Sequence, residues 1–382
     1  MGYWGKISMI KHMTISAVVV IALATSLASC KKKESGFKPP WIPSIYGNNI
    51  SKVFAFDKDD ILLIGSFGFA ARTSKGSEIK FENSKKDFWE FQNTGLNEEL
   101  LCDASFPDPM HGWAVGISGL IIHTADGGKT WVKQNSGTDK HLFTVYFPDC
   151  KNGWAAGNLN TIIHTADGGN TWAQQKEGES SEKDFFAVDV SFNGLYFFDA
   201  NEGWLVGEFG TVYHTTDAGE HWNYVPTPEL APLKLTEQDW EQPRPSLYDV
   251  RFADRNRGFI LGIDGIMIKT EDGGKSWRKV DSKATRALYS IAIVGDKCWA
   301  VGDRGNYVVS TDGGNTWTAK PKAIHAKGWL TSVAFVDENT GWVVGKSGAV
   351  FKTVDGGETW DWLSGVSYDW PEFKPPKFLV GE

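Results

Sequence analysis

Few residues here support a disulfide framework or a structural metal knot. Four cysteines occur in 382 residues. One of them, Cys30, belongs to the N-terminal leader discussed below. The remaining three, Cys102, Cys150 and Cys298, are an odd number with no metal-like spacing. A Cys102 to Cys150 bridge stays open at this level, and Cys298 reads as a small buried residue. Positive charge is also scarce: 39 Lys and Arg against 47 Asp and Glu give a formal net charge of −8, which argues against nucleic acid as a general partner. No Gly-x-Gly-x-x-Gly follows a strand, no Ser/His/Asp set leaves the general pattern of the chain, and no paired ligand spacing marks a metal. Neither a cofactor nor a metal is therefore expected. The apolar run at residues 15–27 is too short to cross a bilayer as a helix.

That run has Lys6 and Lys11 before it and Leu27-Ala28-Ser29-Cys30 then Lys31-Lys32-Lys33 after it, the layout of a secretion signal. Small residues ahead of a cysteine resemble the bacterial lipobox. The resemblance implies cleavage before Cys30 and lipid on that residue, holding the chain at a membrane surface in the cell envelope, facing the periplasm or the exterior. A plain signal peptide with an incidental cysteine is the other reading. Removing residues 1–29 takes away two lysines and no acids, so the mature charge becomes −10.

What the chain has in abundance is a repeat. TADGGKTW, ending at Trp131, returns as TADGGNTW at Trp172, TTDAGEHW at Trp222, TEDGGKSW at Trp277, STDGGNTW at Trp317 and TVDGGETW at Trp360. The aspartates Asp126, Asp167, Asp217, Asp272, Asp312 and Asp355 are 41, 50, 55, 40 and 43 residues apart, the period of a four-stranded propeller blade. Upstream of each runs a second element: GWAVG at Gly112, GWAAG at Gly153, GWLVG at Gly203, GFILG at Gly258, CWAVG at Cys298 and GWVVG at Gly341. A seventh, decayed copy is LLIGSFG at residues 62–68. Eleven of the 18 tryptophans lie in these two elements, so their richness is first a matter of core packing.

One unit reads strand by strand: 143–147 alternates, 148–153 is turn chemistry, 154–156 is a second strand, 161–164 a third and 171–174 a fourth. Four short antiparallel strands repeated radially make a β-propeller. The expected organisation is an all-β, seven-bladed propeller over residues 48–363, after a leader at 1–29 and a lipid-anchored linker at 30–47, with a tail at 364–382. The box aspartates are read as structural: each accepts backbone N–H bonds across its turn, with glycine supplying left-handed φ.

The box pattern resembles the Asp-box of sialidases and sortilin-type receptors. Combined with Phe-x-Asp-x-x-x-Gly-Trp, as in FPDPMHGW at Phe106, FPDCKNGW at Phe147, FFDANEGW at Phe197, FADRNRGF at Phe252 and FVDENTGW at Phe335, the chain looks like the photosystem II stability and assembly factor family. That resemblance implies a non-enzymatic accessory protein, expected as a monomer, that binds a membrane protein or complex outside the cytoplasm. A sialidase-like glycoside hydrolase, or a receptor propeller for glycans or peptides, is the alternative. A sialidase needs an arginine cluster, a tyrosine with a glutamate and a general acid near the axis. Only Arg251 falls on a predicted innermost strand.

Function in a repeat protein is sought where the repeat breaks. Residues 74–87 replace the first box, 176–184 form an acidic insertion, and 226–245 carry five prolines and an unscheduled Trp240. Trp240 is a candidate partner contact, or else it is buried in a loop folded over its own blade. Blade five concentrates Arg251, Arg255, Arg257 and Arg278 with Lys269, Lys275 and Lys279 in an acidic protein. These arginines are candidate contacts for an acidic partner segment; the bland reading pairs them with Asp254, Asp272 and Asp281. The residue before each box threonine or serine is His123, His164, His214, Lys269, Val309 or Lys352, with Arg72 in the decayed unit. It is read as a polar edge position.

Overall fold

The computed structural model describes residues 49–79, 88–92, 94–96, 99–175, 189–227, 230, 244–321, 323–326 and 328–364. Within it the chain forms seven four-stranded antiparallel sheets, at residues 50–91, 101–134, 142–174, 192–224, 247–279, 288–319 and 330–364, numbered here as blades 1 to 7. In each, chain order is strand order, and inner strands of consecutive blades lie side by side. The seven-bladed propeller expected from the repeat is the observed fold. In the unit read strand by strand above, the strands are Leu142–Tyr146, Gly153–Gly157, Ile162–Thr165 and Ala173–Gln174.

The repeated motifs are explained by contacts between neighbouring blades. In Phe-x-Asp-x-x-x-Gly-Trp the phenylalanine ring covers the glycine of its own blade: a Cβ on Gly153 would come within 2.2 Å of Phe147, and one on Gly203 within 2.4 Å of Phe197. The tryptophan that follows then stacks on the phenylalanine of the next blade. Centroids are 3.8 Å apart for Trp113 and Phe147, 3.6 Å for Trp154 and Phe197, and 3.7 Å for Trp299 and Phe335. Its Nε1–H reaches on into the next box, donating to Gly168 O from Trp113, Ala218 O from Trp154 and Gly356 O from Trp299. Blade-to-blade adhesion is thus aromatic burial with a directional bond added.

The aspartate of the same motif fastens the turn between the first two strands. Asp149 Oδ1 accepts from the N–H groups of Lys151 and Asn152 at 2.7 Å, and Asp57, Asp108, Asp199, Asp254 and Asp337 repeat the pattern. Among the described residues no strand is exchanged where blade 7 meets blade 1. Closure rests on the cluster joining Trp342, Val344 and Val350 to Ile50, Val53 and Leu63. Thr331 Oγ1 donates to Ile50 O at 2.6 Å, and the buried Lys352 donates to Gly76 O and Ser77 O at 2.8 and 2.9 Å.

Candidate partner-binding surface

The six boxes share one hydrogen-bonded geometry. In blade 3, Thr165 Oγ1 donates to Asp167 Oδ1 at 2.8 Å and accepts the Gly169 N–H at 2.8 Å. Asp167 in turn accepts from the Thr171 N–H at 2.9 Å and its hydroxyl at 2.7 Å. Asp126, Asp272, Asp312 and Asp355 repeat this; at Asp217 the last donor is His221 Nδ1, at 2.7 Å. These bonds stabilise the carboxylate over the acid, so all six titrate below the ordinary aspartate value, Asp272 at about 2.

At Arg72, Lys269 and Lys352 the position before the box also serves the neighbouring blade, whereas the three histidines stay on their own. Arg72 donates to Pro109 O and Gly127 O in blade 2, and Lys269, almost wholly buried, to Asn315 Oδ1 in the blade 6 box. His123, His164 and His214 lie against Trp113, Trp154 and Trp204 at 4.2–4.5 Å. Burial lowers all three histidine pKa values, opposed at His214 by Glu202.

The four arginines of blade 5 are placed differently from one another. Arg255, in the turn between the first two strands, reaches back to blade 4, where it pairs with Asp199 at 2.5 Å and with Glu202. Arg257, in the same turn, reaches forward to blade 6, to Asp296 Oδ1 and Gly295 O, both at 2.7 Å. Arg278 donates to Asn315 Oδ1 at 2.9 Å, also in blade 6. Arg255 and Arg257 are thus held by acids of neighbouring blades, whereas Arg278 also meets Glu271 of its own blade at 3.5 Å. Of Asp254, Asp272 and Asp281, only Asp254 approaches one of these arginines, 3.9 Å from Arg257. Arg251 stands apart on the innermost strand Leu247–Phe252, with its Nε 3.3 Å from Asp249 and its guanidinium 5.8 Å from the centre of Tyr146.

An aromatic track joins Arg251 to Arg255. The Arg255 guanidinium lies 5.0 Å over Phe198; Phe198 meets Tyr196 at 5.2 Å; Tyr196 meets Tyr146 at 5.3 Å; Tyr146 carries Arg251. All three aromatics are half-buried, which leaves a rim open to solvent. Burial raises both phenols, Tyr196 to about 12 with Tyr146 adding to the shift, so both remain hydrogen-bond donors at neutral pH. An apolar strip with a guanidinium at each end suits an extended segment that carries carboxylates and apolar side chains. The sequence marks the arginines; the track escapes it because Tyr146, Tyr196 and Arg251 sit in three blades.

Other charged groups on the innermost strands satisfy one another. Lys52 pairs with Asp103 at 2.8 Å, and the other Asp103 oxygen accepts from Thr144 Oγ1 and the Val145 N–H, each at 3.2 Å. Asp249 accepts the Ile291 N–H at 3.3 Å. Burial raises its carboxyl pKa against the opposing pull of Arg251 and Lys52. Arg251 is the only arginine on an innermost strand, so the arginine cluster of a sialidase is not assembled among the described residues.

Cys102, Cys150 and Cys298 are all free thiols, which removes the Cys102 to Cys150 bridge. Cys30 and Trp240 lie outside the described residues. The described ends of the proline-rich loop pack at the junction of blades 4 and 5: Leu230 joins the buried cluster of Trp204, Val212 and Leu247, and Arg244 donates to Tyr224 Oη at 2.7 Å.

Comparison with known proteins agrees with this architecture. The photosystem II assembly lipoprotein Ycf48 of Synechococcus sp. (strain CC9902) is 36% identical over 98 residues, covering 25% of this chain and 28% of that relative's length. A solved structure of YCF48 bound to D1 peptide superposes with a TM-score of 0.59 over 84% of this chain and 98% of its own, at 18% identity. The GH74 enzyme of Niastella koreensis gives a TM-score of 0.60 at 12% identity, over 83% of this chain and 54% of that one, a likeness of fold. The sequence model described as Photosynthesis system II assembly factor YCF48 matches residues 81–143, 133–237 and 232–323, and with most of its propeller so matched this chain belongs to that family.

Proposed function

We propose that this protein is a non-enzymatic accessory factor, anchored to a membrane through lipid on Cys30, whose propeller holds an acidic segment of a membrane protein outside the cytoplasm during assembly. The observation that carries the reading is the strip Arg251–Tyr146–Tyr196–Phe198–Arg255, with a guanidinium at each end. Family membership supports it, as do the names of two relatives, one a lipoprotein and the other solved with a D1 peptide. The carboxylates of the innermost strands favour binding over catalysis. Asp103 and Asp249 are occupied by Lys52, Arg251 and backbone N–H groups, whereas glycoside hydrolysis needs one carboxyl free to give a proton and one free to activate water.

The test is capture of partner from crosslinked membranes by the full chain and by an Arg251→Gln, Arg255→Gln double variant. The variant should retain about a tenth of the wild-type capture, with a smaller salt dependence because screened charge terms are lost. Capture is normalised to the folded fraction read from melting curves, since Arg251→Gln leaves the buried Asp249 without its ion-pair partner and Arg255→Gln releases Asp199 and Glu202. Equal capture, or aryl glycoside turnover that disappears with Arg251→Gln, would sink the proposal. Mass spectrometry of the mature N-terminus tests the anchor: an unmodified Cys30 excludes it.

A further inference from the structure

Where the turn after each innermost strand meets the neighbouring blade, a cation usually joins the two. Arg72 links Asp60 to Pro109 O at blades 1 and 2, and Arg255 takes Asp199 and Glu202 at blades 4 and 5. Arg257 takes Asp296 at blades 5 and 6, Lys297 takes Glu338 at 6 and 7, and Lys58 takes Asp337 at 7 and 1. The repeat uses the residue just after the turn aspartate for this purpose in Lys58 and Arg255. In blade 3 that residue is Cys150. It faces Asp108 and His111 of blade 2, where the local charge is a carboxylate with no lysine or arginine bound to it among the described residues.

The three side chains converge. Asp108 Oδ1 is fixed by the N–H groups of Met110 and His111 at 2.7 and 2.8 Å. Its Oδ2 is left to meet His111 Nδ1 at 2.9 Å and Cys150 Sγ at 3.1 Å, and the ligand atoms of all three residues lie within 4.8 Å of one another. The sulfur bonds the carboxylate and not the imidazole, so the imidazole is not placed to deprotonate it. Bond lengths of about 2.0–2.1 Å to nitrogen and oxygen and about 2.3 Å to sulfur place the donors of a tetrahedral zinc ion roughly 3.3–3.6 Å apart. Reaching that separation takes an outward movement of a few tenths of an ångström between Asp108 and each partner, with His111 and Cys150, which lie within 4.8 Å of each other, adjusting to match. Cys150 is exposed and His111 and Asp108 are about 40% exposed, so a fourth position opens to water.

The geometry points to a zinc-class divalent metal site formed by Asp108, His111 and Cys150, a cation clamp between blades 2 and 3 in the place where other junctions use lysine or arginine. Thiolate, imidazole and carboxylate together select zinc or cobalt over calcium or magnesium. The backbone bonds to Asp108 Oδ1 supply the outer support that orients the carboxylate. Spacing along the chain gives no hint of it, since Asp108 and Cys150 are 42 residues apart in separate blades.

The experiment titrates EDTA-stripped full-length protein with cobalt chloride and zinc chloride. Cobalt should saturate at one equivalent with a thiolate-to-metal charge-transfer band in the near ultraviolet. Cys150→Ser should abolish the band and His111→Ala should weaken binding by about tenfold or more. Cys30→Ser, Cys102→Ser and Cys298→Ser should keep both. Zinc should raise the melting temperature of wild type and leave that of Cys150→Ser unchanged, while the two metal-free proteins melt alike. The proposal is overturned by the lack of a one-equivalent endpoint, by a band that survives Cys150→Ser, or by one that depends on another cysteine.

Discussion

The hydroxyl that opens each box does more than its turn position suggests. Thr165 is buried, and its Oγ1 holds both Asp167 and the N–H of Gly169, a residue at φ +83° whose backbone direction few side chains tolerate. Thr165→Val keeps the shape and removes both bonds, leaving the Gly169 N–H buried without its acceptor. A loss of about 1–3 kcal/mol in unfolding free energy is expected, read from the urea midpoint at unchanged slope. Partner capture by the folded fraction should be unaffected. Capture lost at an unchanged midpoint would instead make the box a contact surface.

Between elements, the interlock of a tryptophan with the next blade separates aromatic burial from directional bonding. Trp154 stacks on Phe197 and donates to Ala218 O at 3.0 Å. Trp204 is equally buried, but its Nε1 has no acceptor among the described residues. Phenylalanine at either site retains an aromatic ring and loses the N–H. Trp154→Phe should therefore cost about 1 kcal/mol more than Trp204→Phe in paired denaturant titrations; equal costs would reduce the bond to an accident of stacking. The same distinction sets what was legible in the sequence. Strands, boxes and blade number repeat along the chain, so periodicity exposes them. The partners of Trp154, Arg255 and Cys150 lie 64, 53 and 42 residues away in neighbouring blades, and no local pattern names them. The arginines of blade 5 could be seen as a concentration of charge, whereas their division between Asp199, Asp296 and the aromatic track depends on the closed ring.

Over the whole molecule, the repeat multiplies small proton linkages into a pH response. His123, His164 and His214 titrate below their ordinary value of 6.5 because burial beside tryptophan favours the neutral ring. The stability gained by keeping them neutral is complete above pH 6.5 and is lost as pH falls through their folded values. The box aspartates act in the same direction further down: depressed from 3.8, they stabilise above that pH, and the contribution fades as pH falls through their folded values, about 2 for Asp272. Asp249 opposes them, since its raised carboxyl stabilises below pH 3.8 and the effect is lost as pH rises through its folded value. Urea midpoints measured from pH 8 to pH 3 should fall in two stages, one beginning near pH 6.5 and one below pH 4. Replacing the three histidines by glutamine should flatten the first stage and leave the second. A wild-type midpoint constant between pH 7 and pH 5, or a first stage that persists in the triple variant, would show that the ring of histidines is not the group taking up those protons.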